Sequence, residues 1–129
     1  MLQKDENRER GSVISRELQS RMIGSKPLEE IVRRVVDVAQ PQKIVLFGSR
    51  ARASHRPDSD LDLLVIKESA EPRYERAVPI YRALAGIGLG IDKDIIVYTP
   101  QEVERWRNAS GHFVTTALRE GKVIYERKS

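Results

Sequence analysis

Cysteine is absent from the 129 residues. That excludes a disulfide framework, thiolate metal sites and cysteine nucleophiles, and it suits a reducing compartment. Histidine is scarce as well: His55 and His112 stand far apart with no thiol to join them, which argues against a histidine metal site. Two Phe, four Tyr and one Trp make up all the aromatics. They are too few, and too little interleaved with basic residues, for a base-stacking platform, so a nucleic-acid partner is not expected. No apolar run approaches the ~18 residues that cross a bilayer. Met1–Arg10 is charged where a secretory leader carries an apolar stretch. The expectation is a soluble, cytoplasmic protein without a membrane partner.

What is present is one domain's length of chain, 40% apolar and 33% charged, with a net charge of +4. Residues 1–25 are polar with charges of both signs and no sustained period. They read as an extension, partly helical where Val13, Ile14 and Leu18 share one amphipathic turn that Met22 and Ile23 prolong. A single domain is expected over 26–129. Leu28, Ile31, Val32, Val35, Val36 and Ala39 recur at spacings of three and four, the pattern of an amphipathic helix, with Pro27 in its first turn and Pro41 after its end. Lys43–Phe47 is a nearly continuous apolar run and reads as a strand buried on both faces. Asp60–Ile66 and Asp94–Tyr98 read as two more strands, separated by a helix over Glu71–Ala85 that Pro79 kinks. Tyr74 and Tyr81 are expected on the face of that helix that packs on the sheet. Thr99-Pro100-Gln101-Glu102 has the form of a capping box. Short helices follow to about Asn108 and over Phe113–Glu120, with Gly121 as a cap and Lys122–Tyr125 as a last strand. The fold expected is α+β, a layer of helices on a small mixed sheet.

Chemistry concentrates where strands end. An Asp-x-Asp pair alone carries little information, but Asp60 and Asp62 open a strand, whose period of two puts both carboxylates on one face. Leu61, Leu63 and Val65 are left for the core. Two like charges at about 4 Å oppose each other by ~4 kcal/mol at an effective dielectric of 20, a cost that a hard divalent cation relieves. Gly48-Ser49 closes the preceding strand. Glycine permits a tight turn and a close approach of backbone to an anion, and the serine hydroxyl adds a donor. Arg50 and Arg52 stand just beyond, placed to neutralise a polyphosphate. A third carboxylate is available at Asp94, which enters the next strand directly, or at Asp92, nearer the glycine-rich turn. His55 and Arg56 read as solvated loop, and Trp106 as a packing residue.

Gly48-Ser49, ten intervening residues, Asp60-Leu61-Asp62 and then Asp94 on a later strand resemble the minimal nucleotidyltransferases of the DNA polymerase β superfamily, with its palm-like fold. The resemblance runs over about residues 28–126 and includes the closing segment Leu118–Tyr125. It implies two Mg²⁺ ions held by Asp60, Asp62 and Asp94, and a nucleoside triphosphate, ATP, whose phosphates lie at Gly48 and Ser49. It further implies that Asp94 helps to activate an attacking hydroxyl, with pyrophosphate as leaving group. The family often has Arg-Gly where this chain has Arg52-Ala53. MntA-type antitoxins of this class adenylylate a tyrosine of a HEPN-type helical toxin, so such a partner, or a second copy of the chain, is an expectation. The rival reading is a non-catalytic antitoxin that neutralises its partner by binding alone.

Overall fold

The computed structural model describes residues 11–13, 25–52, 60–87 and 92–128. Elements follow in the order β1 (Gly11–Val13), α1 (Ser25–Ala39), β2 (Lys43–Phe47), a 3₁₀ turn (Ser49–Ala51), β3 (Leu61–Ile66), α2 (Arg73–Arg76), α3 (Val78–Leu84), β4 (Lys93–Tyr98), α4 (Pro100–Trp106), α5 (Phe113–Glu120) and β5 (Lys122–Arg127). The five strands form one mixed sheet in the order β1-β5-β2-β3-β4. Only β3 and β4 pair in parallel, and α2 and α3 supply the crossover between them.

Side-chain parity divides the sheet into two buried faces. On one, Ile44, Leu46, Leu61, Leu63, Val65, Ile95 and Val97 meet the apolar stripe of α1 together with Ile80 and Leu84 of α3. Each such side chain withdrawn from water contributes roughly 1.5–3 kcal/mol. A register shift between Ile44 and Val45 makes Ile124 an extra residue on β5, so that Ile124 and Tyr125 both enter this core. On the other face, Val45, Leu64, Ile66 and Tyr98 are covered by Val114 and Ala117 of α5 and by half-buried Val103 and Trp106 of α4. The α+β arrangement of helices on a small mixed sheet is the expected one, with the short C-terminal helices lying across the second face.

Three local differences from the sequence reading have physical causes. The helix of residues 71–85 is two pieces that meet at Ala77, because Pro79 lacks an N–H and fits only in the first turn of the second piece. Tyr74 is not packed on the sheet: it is 80% exposed. Tyr81 does reach the sheet, but through its hydroxyl, which accepts a bond from the Ile95 N–H at 2.7 Å. Gly11–Val13 is an edge strand against β5, pairing Val13 with Tyr125; the remainder of the 1–25 segment, Ile14, Leu18, Met22 and Ile23 included, lies outside the described residues, as do His55 and Arg56. Among the described residues no helix is long and apolar enough to cross a membrane.

Candidate active site

The sheet's register brings distant residues into one row. Phe47, the last residue of β2, pairs with Asp62 on β3, and Asp62 pairs with Asp94 on β4. All three share the face covered by α4 and α5. Asp60 lies one step before β3 and is exposed; Asp62 is half-buried and Asp94 exposed. Asp92 sits one step before β4, and its carbonyl accepts from the Leu61 N–H at 2.9 Å.

The Asp62 carboxyl is pushed above the usual carboxylate range. Burial is the main cause, followed by the negative charges of Asp94 and then Asp60. The strand register likewise sets Asp94 beside Asp62. Among the described residues no three His, Cys, Asp or Glu side chains stand together as a ready metal cage. The donor set nonetheless suits a hard cation: it consists of carboxylates, and Mg²⁺ keeps water and phosphate oxygens in positions that the protein does not fill. A cluster of acids that oppose one another's ionisation is also what a cation would relieve.

Gly48 ties this cluster to the turn. Its backbone, at φ 73° and ψ −158°, occupies a region that is essentially glycine's alone. A β-carbon there would run into the Asp62 carboxylate. The chain then folds into the 3₁₀ turn, in which the Ala51 N–H donates to the Gly48 carbonyl at 3.2 Å and the Arg52 N–H to the Ser49 carbonyl at 3.0 Å. Ser49 is partly exposed beside it. The two arginines part company at this turn. Arg52 is exposed and lines a cavity with Gly48, whereas Arg50 is only 2% exposed. Its neighbour Ala51 is buried as well. Arg50, expected to neutralise phosphate, is thus placed in the interior as folded.

The sequence reading missed the wall opposite the turn. Phe113, Thr116 and Glu120 of α5 face Phe47, Gly48 and Arg52 across a cavity of about 540 Å³. Phe47 and Phe113 touch with ring centroids 5.5 Å apart. Nothing local signals this, because α5 comes to lie over the end of β2 only through tertiary folding. His112 starts that helix, as its position suggested: its Nδ1 accepts from the Val114 N–H at 3.1 Å, and its ring stacks on Trp106 at 4.5 Å.

A family described as Polymerase beta, Nucleotidyltransferase matches residues 29–129. The chain belongs to that family. Membership makes a nucleotide the substrate and group transfer the general reaction. The nucleotidyltransferase is also similar to a crystal structure of a protein from Sulfolobus solfataricus that is described, by inference, as a nucleotidyltransferase. The identity is 29% and the TM-score 0.51, over 69% of this chain and 77% of that one. No protein of curated function matches significantly. In this nucleotidyltransferase the matched span takes in the Gly48 turn, all three acids and the α5 wall.

Proposed function

We propose that the protein transfers a nucleoside monophosphate, AMP from ATP, to a hydroxyl acceptor. One observation carries this reading: the Asp62 carboxylate occupies the space that the missing Gly48 side chain leaves, while Asp62 itself pairs in register with Asp94. The turn and the carboxylate row are thereby adjacent, which supports reading them as one nucleotide site. Gly48 and Ser49 receive the β- and γ-phosphates, with Arg52 at their flank. The acceptor oxygen forms a bond to the α-phosphorus, the bond from that phosphorus to the bridging oxygen breaks, and pyrophosphate leaves with the electron pair. Asp94 takes up the acceptor's proton. Asp60, Asp62 and Asp94 would hold two Mg²⁺ ions, which neutralise the attacking and leaving oxygens. On the resemblance to adenylylating antitoxins, the acceptor proposed is a tyrosine hydroxyl of a HEPN-type partner.

Protein incubated with Mg²⁺, α-labelled ATP and its partner is expected to label the acceptor, and Asp62→Asn to abolish the label. No labelling with any nucleoside triphosphate, despite measurable binding, counts against transfer. The rival is neutralisation by binding alone. It predicts that Asp60→Asn still neutralises the partner.

A further inference from the structure

The cavity beside the Gly48 turn has an α5 side with no role in the phosphate chemistry described above. Its volume, about 540 Å³, lies within the range of small-molecule pockets, roughly 300–1,000 Å³. Its floor is Gly48, the residue that abuts the Asp62 carboxylate, so the cavity and the phosphate turn are continuous. Its walls combine two phenyl rings, Phe47 and Phe113, with one cation and one anion, Arg52 and Glu120. α5 walls it from Phe113 to Glu120, two turns and roughly 10 Å of helix. Phenyl rings offer stacking surface to a planar heterocycle. Arg52 suits the phosphate end of such a ligand, and the Glu120 carboxylate accepts hydrogen bonds but donates none.

We propose that this cavity receives the nucleoside of the triphosphate, with the base against Phe113 and Phe47 and its exocyclic amine donating to Glu120. A base bearing such an amine, as adenine does, is then favoured over one with a carbonyl in its place, as in hypoxanthine. This assignment rests on the transferase reading, because it assumes that the phosphates lie at Gly48 and Ser49.

The test measures binding of three probes in the presence of Mg²⁺: inorganic tripolyphosphate, ATP and inosine triphosphate. The full chain is expected to bind ATP at least about tenfold more tightly than tripolyphosphate, the increment that base stacking on an aromatic ring brings. Phe113→Ala should remove most of that increment and leave tripolyphosphate binding unchanged. Thr116→Trp, at an exposed position that tolerates bulk, should block the cavity with the same result if Phe113→Ala disturbs folding. Glu120→Ala should narrow the gap between ATP and inosine triphosphate. Equal affinity for ATP and tripolyphosphate in the unaltered protein, or ATP binding undiminished in both Phe113→Ala and Thr116→Trp, overturns the assignment while leaving the phosphate site intact. Failure of every probe to bind removes the transferase reading and this assignment with it.

Discussion

At Gly48 two demands coincide: a positive φ and empty space where a side chain would begin. Alanine meets neither. Gly48→Ala is expected to cost about 1–3 kcal/mol from the backbone conformation and to displace the Asp62 carboxylate. ATP binding should then fall by more than the stability loss alone explains, and titration of the folded variant checks this. Gly121 is required for a different reason. Its φ is −80°, which any residue adopts, but a β-carbon would stand 2.7 Å from Val45 Cγ1 and 2.8 Å from the Leu46 carbonyl. Asp62 gives the opposite kind of prediction. Its carboxyl ionises less readily in the folded chain, so stability falls as the pH rises through the interval between its unfolded and folded values. At neutral pH without divalent ions, Asp62→Asn should therefore raise Tm while abolishing transfer. A lowered Tm would show that the carboxylate contributes to stability instead.

Among the elements, α2, β4 and α4 are fastened by one cation. Arg76 donates to the Glu71 carbonyl at 2.8 Å, to the Val97 carbonyl at 3.2 Å and to both Glu102 carboxylate oxygens at 2.7 and 3.2 Å. With the Tyr81 bond to Ile95, this occupies backbone groups along the outer edge of β4, which is the sheet's last strand. Glu102 also closes the capping box with Thr99. The Arg76 guanidinium is the main cause that holds the Glu102 carboxyl down at about 2. A depressed carboxyl stabilises the fold above its unfolded value and loses that contribution as the pH falls toward 2. Thermal melts should thus show stability declining below about pH 4.5, and Glu102→Gln should flatten this limb and cost about 1–2 kcal/mol at neutral pH. An acid limb unchanged in the variant would refute the role. The capping box was legible from Thr99-Pro100-Gln101-Glu102, since all its partners lie within one turn. The Arg76 bridge was not, because its partners come from elements joined only in three dimensions.

Across the whole molecule, the same division separates what could be read from what could not. Periodicity identified α1, and the alternation of Asp60–Val65 assigned acids and leucines to opposite faces, because both are properties of consecutive residues. The approach of Asp94 to Asp60 and Asp62 was an expectation once β3 and β4 were recognised as strands; the pairing of Phe47 with Asp62 was not. Pairing of Gly11–Val13 with β5, the inward turn of Arg50 and the wall formed by α5 depend on long-range packing, which leaves no local period. A second copy or a partner is the proposed cover of the site; light scattering with and without the partner reports it. The most direct test of the central claim, that one glycine turn and one carboxylate row form a single nucleotide site, is ATP titration with and without Mg²⁺. Binding should depend on magnesium and be removed by Asp62→Asn. Binding that is indifferent to magnesium, or undiminished in Asp62→Asn, would contradict the claim.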